Sequence, residues 1–168
     1  VEIDQSGKIE DTSGDTALAF ADGISYAILI PASVKRACLQ ALRDRGKTGK
    51  SLYWRLYTRA LFLLLEDHMT DLALVTIDDE YTGHAANIKQ ELLRLLWAAG
   101  LNVDPDQIRF GIIHRGRSGN PPAHDKAYAV HRGNELPDRV ITVGELLACW
   151  TYVKVAAGGP FFVLRDCC

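Results

Sequence analysis

A chain of 168 residues, 48% hydrophobic and 24% charged, has the size and make-up of one globular domain with its own core, which excludes a disordered tail, a collagen and a coiled coil. Its formal charge of −2 gives no global sign of a polyanionic or membrane partner. The four cysteines form no C-x-x-C pair, the opening VEIDQSGKIED is too polar for a secretory leader, and the longest apolar run, Ala60 to Leu65, is far short of the ~20 residues that span a bilayer. A reduced, cytoplasmic, single domain over residues 1–168 is the expectation.

In chain order, Val1 to Asp4 reads as a short strand and Gln5 to Gly14 as a polar turn region. Thr16 to Ala21, Asp22-Gly23 and Ile24 to Ile30 read as a β-hairpin, since Asp-Gly between apolar runs is a strong turn signal. Pro31 closes the second strand. Ser33 to Arg45 is expected to be a helix with Val34, Ala37, Cys38, Ala41 and Leu42 inward and Gly46 as its stop. A basic Gly-containing loop leads into a longer helix, Ser51 to His68. Asp71 to Ile77 (DLALVTI) is the best buried strand in the sequence. Thr82 is placed to cap a helix running to Ala99. Ile108 to Ile113 reads as a strand, Arg115 to Asn120 as a polar loop, and Pro121-Pro122 as the opening of a short helix to His131. Thr142 and Glu145 form a T-x-x-E capping box for a helix carrying Leu146, Leu147, Trp150 and Val153, and the FFVL tail reads as an edge strand or a partly ordered end. Three strands followed by alternating strands and helices predict an α/β domain whose mixed sheet is antiparallel at first, then parallel, flanked by helices.

Charge is unevenly distributed. Between Lys35 and Arg59 eight bases stand against one acid, Asp44, and between Arg109 and Arg132 five stand against Asp125. The rest of the chain is therefore strongly acidic. Lys35, Arg36, Arg43, Arg45, Lys47 and Lys50 are the candidates for a phosphate-binding surface; solvated helix faces are the alternative.

Three places could carry chemistry. Asp4 ends the first strand just before Ser6-Gly7, where it either serves a site or caps the turn. Asp78-Asp79-Glu80 follows the best strand. Three consecutive acids repel one another, and a divalent cation with a preference for oxygen ligands would remove that penalty. Strand periodicity puts Asp78 and Glu80 on one side and Asp79 on the other, although one acid there would also favour the dipole of the next helix. His124 and Asp125 fall in the first turn of a later helix. Cys38 and Cys149 lie on apolar helix faces as core residues, and G-x-S-x-G, Walker A and G-x-G-x-x-G patterns are missing.

With Asp4 in IDQSG, Asp78 in TIDDEY, and His124 and Asp125 in AHDKA, the sequence resembles the ribonuclease H-like superfamily, including families that open with Asp-x-Ser-Gly. The resemblance implies a ribonuclease H-like sheet and two Mg²⁺ or Mn²⁺ ions on strand-end and helix carboxylates. One ion activates water and the other stabilises the leaving oxygen of a phosphodiester. Asp4, Asp78 and Asp125 would then be metal ligands, Glu80 and His124 auxiliary ligand or proton-transfer groups, and nucleic acid the partner. One feature departs from the pattern: the helix before the fourth strand has no acid until Glu66 and Asp67. A catalytically inactive ribonuclease H-like domain that binds nucleic acid or a protein is the competing expectation, and an assembly domain whose acids cap a helix is the third.

Overall fold

Alternation of small and large side chains along two neighbouring strands builds the sheet and decides what covers each face. In the computed structural model, which describes residues 1–111 and 119–148, β1 (Glu2–Ser6), β2 (Thr16–Asp22) and β3 (Ile24–Ile30) form an antiparallel meander. Leu18, Phe20, Ile28 and Ile30 point to one face, Ala17, Ala19 and Ala27 to the other. Gly23 takes a positive φ of 77° at the Asp-Gly turn, as a tight hairpin requires.

The chain continues through α1 (Ala32–Asp44), α2 (Ser51–Leu65), β4 (Val75–Asp78), α3 (Ala85–Ala98), β5 (Ile108–Gly111), α4 (Pro122–His131), β6 (Arg139–Val140) and α5 (Val143–Leu147). Sheet order is β5-β4-β1-β2-β3-β6, with β4 parallel to both β1 and β5, and β6 parallel to β3. The large-residue face belongs to one apolar cluster with Leu42 of α1, Leu56 and Leu64 of α2, Leu92 and Leu96 of α3 and Leu146 of α5. The alanine face packs on Ala127 and Val130 of α4. Small residues let a helix backbone come close to a sheet, so α4 lies tightly over β1 and β2, and its first turn is carried to the strand ends.

The mixed α/β sheet flanked by helices is as expected, with boundary differences that have local causes. Thr82 does not cap α3: the helix begins at Ala85 after His84, with no side-chain cap. Gly83 at φ 82° is left-handed and cannot sit in a right-handed first turn, so Tyr81 to Gly83 form a turn closed by the His84 N–H on the Tyr81 carbonyl at 2.9 Å. α2 stops at Leu65 and Met69–Asp71 forms a 3₁₀ turn, which delays β4 to Val75. The two-residue β6 is additional; Asp138 fastens its approach, accepting from the Ala27 N–H at 2.8 Å. The Thr142–Glu145 capping box is present as expected. The expected strand end at Ile112-Ile113, Arg115 and Arg117, Cys149, Trp150, Val153, the FFVL tail, Cys167 and Cys168 lie outside the described residues.

Lys35 corrects the reading of the basic block. Buried positions of α1 are Lys35, Cys38, Leu39 and Leu42, a stripe at i, i+3, i+4 and i+7, rotated from the expected one so that Lys35 and Leu39 join Cys38 and Leu42 while Ala37 is exposed and Val34 and Ala41 are half-buried. Its ammonium is fully buried and donates to the Lys8 carbonyl at 2.9 Å, the Asp11 carbonyl at 2.5 Å and Thr16 Oγ1 at 2.8 Å. A lysine with all three donors so engaged has none for a phosphate. Arg59 is buried too, with Nε on the Glu145 carbonyl at 3.0 Å. Arg36, Arg43, Arg45, Lys47 and Lys50 are exposed.

Candidate metal centre

The parallel register pairs Ile3 with Ile77, and one residue further along each strand stand Asp4 and Asp78. Because Ile3 and Ile77 face the large core, strand alternation sends both aspartates to the face that α4 covers. Beyond Asp78 the chain folds back on itself: the Glu80 N–H donates to the Asp78 carbonyl at 2.9 Å, returning Glu80 beside Asp78. Oxygens of Asp4, Asp78 and Glu80 consequently lie within 4.8 Å of one another. Asp4 is buried, and the other two are half-buried.

His124 closes the cluster from the α4 side, with Nδ1 at 2.5 Å from Asp4 Oδ2. The close approach of α4 over the alanine face makes this contact possible. Gly7 is needed for the turn that follows Asp4. It has φ +75°, and a Cβ there would come within 2.4 Å of the Asp15 carbonyl and 2.8 Å of the His131 ring. The Ser-Gly after Asp4 is thus a steric requirement of the turn under α4.

Asp125 does not join the cluster. It is exposed, and its Oδ1 accepts from Asn120 Nδ2 at 3.0 Å; in the first turn of a helix, neighbouring residues point about 100° apart, so His124 facing the sheet turns Asp125 outward. Asp79 also points elsewhere, as periodicity predicts, and its Oδ1 is buried with no partner among the described residues.

Charge density shows in the titration of Glu80. Burial, and after it the charges of Asp78 and Asp4, raise its carboxyl above the usual range, opposed by Lys8. A carboxylate raised on folding destabilises the native state as pH climbs through its folded pKa. In metal-free protein, Glu80→Gln is therefore expected to be more stable than wild type at neutral pH. That advantage should fade as the pH falls toward the ordinary carboxylate value, read from urea midpoints across the range. A variant less stable at neutral pH would show that the Glu80 charge is welcome in the empty fold.

Sequence reasoning missed Tyr57. It lies on α2, is fully buried, and its hydroxyl has no hydrogen-bond partner among the described residues. Burial, then the negative charge of Glu80, with Tyr81, Asp78 and Asp4 behind it, pushes the phenol well above its usual value. Tyr81 packs on Tyr57 at 4.9 Å between ring centroids and donates its hydroxyl to Glu10 Oε2 at 3.1 Å. Trp54 stacks on His84 at 5.8 Å. The one signal for Tyr57 in the sequence was its place on α2, where the resemblance expects an acid. Glu66 and Asp67 are committed elsewhere, 3.0 and 3.8 Å from Arg139.

Comparison with protein-family models, with curated proteins and with solved structures returned no match. Among the described residues, no helix is long and apolar enough to cross a membrane.

Proposed function

We propose that this chain is a metal-dependent phosphodiester-processing enzyme acting on nucleic acid, most simply a nuclease of ribonuclease H-like architecture. Convergence of Asp4, Asp78 and Glu80 within 4.8 Å carries the reading. Three carboxylates so close repel one another without a cation, and their hard oxygens suit Mg²⁺ or Mn²⁺. The buried Tyr57 hydroxyl beside these charges, which has no hydrogen-bond partner among the described residues, is a second observation in its favour, since buried hydroxyls are ordinarily satisfied. An antiparallel meander followed by parallel strands agrees with the sheet that the resemblance implies.

Asp4, Asp78 and Glu80 would hold one cation, which when bound supplies a Lewis acid for a phosphodiester and its attacking water. His124 orients the Asp4 carboxylate through Nδ1, 2.5 Å from Asp4 Oδ2. Asp4 is buried, and so is Tyr57, which packs on Tyr81. Arg36, Arg43, Arg45, Lys47 and Lys50 remain as exposed bases for the phosphate backbone. A cytoplasmic setting is part of this proposal; Cys38 is buried and forms no disulfide among the described residues.

Calorimetric titration of Mn²⁺ into the whole chain tests the proposal. Saturable binding, abolished in Asp4→Asn, is the expected result, together with metal-dependent cleavage of an oligonucleotide. Absence of an acid on α2 favours the second reading, an inactive nucleic-acid-binding domain; metal-independent binding with no cleavage would select it. Affinity for nucleic acid should also fall steeply with salt as phosphates release counterions. Replacing Arg43, Arg45, Lys47 and Lys50 with alanine should flatten that slope, and an unchanged slope would place the surface elsewhere.

A further inference from the structure

The face of α4 that begins at the acid cluster continues as a row of flat side chains. His124, Tyr128 and Arg132 follow at four-residue spacing, which keeps them on one side of the helix. His124 is tied to Asp4. Its ring lies nearly parallel to that of Tyr128, with centroids 6.3 Å apart and 12° between planes. The Arg132 guanidinium lies 6.0 Å from the Tyr128 centroid.

Core packing does not account for this row. Tyr128 is 50% exposed and belongs to neither apolar cluster. Arg132 is exposed and has no acidic partner among the described residues, whereas its neighbour Lys126 is held by Glu135 at 2.5 Å and Asp138 at 3.6 Å. A half-exposed aromatic ring beside a guanidinium that has no carboxylate partner among the described residues matches the two halves of a nucleotide, a π-face and a phosphate. The helical rise places Tyr128 about 6 Å and Arg132 about 12 Å from His124 along the axis, within reach of a nucleotide flanking the cluster.

We propose that this row binds an unpaired nucleotide next to the metal centre, its base stacked on Tyr128 and its phosphate on Arg132, so that the substrate is single-stranded nucleic acid. The inference rests on the phosphodiester reading above. It excludes intact duplex from the row, because paired and stacked bases hide the faces that Tyr128 would meet.

The test is binding of fluorescently labelled single-stranded DNA and RNA oligonucleotides, and of the matching duplex, to the whole chain in EDTA, so that no metal contributes and no strand is cut. Wild type should prefer the single strands. Tyr128→Ala should weaken single-strand binding about tenfold with an unchanged salt slope, and Tyr128→Phe, which keeps the π-face, should retain it. Arg132→Ala should weaken binding and lower the salt slope by about one phosphate contact. Duplex preference, or equal single-strand affinity in Tyr128→Ala, would overturn the proposal. Mn²⁺ titration of Tyr128→Ala separates the two layers. Loss of strand binding with metal binding intact supports the row as a substrate surface; loss of strand binding in a chain whose wild type takes no Mn²⁺ supports the row and sinks the metal centre alone.

Discussion

Lys35→Met is expected to destabilise the protein by about 2–4 kcal/mol, seen as a lower urea midpoint with the slope unchanged. Methionine matches the lysine stem in length and fits the apolar stripe of α1, so little packing is lost. The polar loss is larger. The Lys35 ammonium is donor to two backbone carbonyls and to Thr16 Oγ1. Thr16 Oγ1 still reaches the Lys8 carbonyl at 3.2 Å, but the Asp11 carbonyl is stripped of this donor. Burial pulls the Lys35 pKa below its ordinary 10.5, against the pull of Asp11, Asp15 and Glu10. The sign follows: between the lowered folded pKa and 10.5 the unfolded chain binds more protons, so wild type gains stability relative to Lys35→Met as pH rises through that window. Equal midpoints for both proteins would mean that the loop between β1 and β2 holds its shape without the ammonium.

That loop connects stability to the site. It carries Lys8 and Glu10, whose charges act on Glu80 from opposite directions, and Glu10 receives the Tyr81 hydroxyl. Lys35 thus acts on the candidate centre from within the core, as a support for the loop and not as a ligand for phosphate.

Particular residues show what the sequence made legible. The hairpin was readable because Ala17, Ala19 and Ala27 alternate with Leu18, Phe20 and Ile28 around Asp22-Gly23, a pattern that local physics alone enforces. Asp4 and Asp78 were readable because both stand at strand ends, and the register of β1 on β4 needs only one residue of extrapolation from Ile3 and Ile77; Glu80 lies beyond the end of β4 and reaches the same place through a tight turn, not through strand periodicity. Lys35 was misread because a charge count along the chain cannot see which side of a helix a base occupies; its stripe with Cys38, Leu39 and Leu42 was visible only after the helix was docked. His124 and Asp125 are adjacent in sequence, yet one helical position separates a residue facing the sheet from one facing water. Tyr57 had no local signature, since its importance lies in a neighbourhood assembled from β1, β4 and the turn after β4. Gly83 before α3 was a signal available in the sequence, and it outweighs Thr82 as a cap because backbone handedness excludes a helix through it.

Asp78→Asn is expected to remove metal-linked stabilisation entirely. Wild type should gain about 2.7 kcal/mol when Mg²⁺ or Mn²⁺ is present at a hundredfold excess over its dissociation constant, and the variant should gain nothing measurable. Asparagine keeps the shape of the side chain, so the turn that returns Glu80 through its N–H on the residue 78 carbonyl persists. Metal-free stability should then be equal to or above wild type, because one charge has left a cluster whose members lie within 4.8 Å. The Glu80 carboxyl should also move down toward its ordinary range, since Asp78 is the first charge among the causes that raise it. Thermal melts with and without metal, alongside carboxyl titration by NMR, read all three effects. An unfolded variant would make Asp78 a structural cap at the end of β4, and undiminished metal stabilisation would take the centre away from this residue.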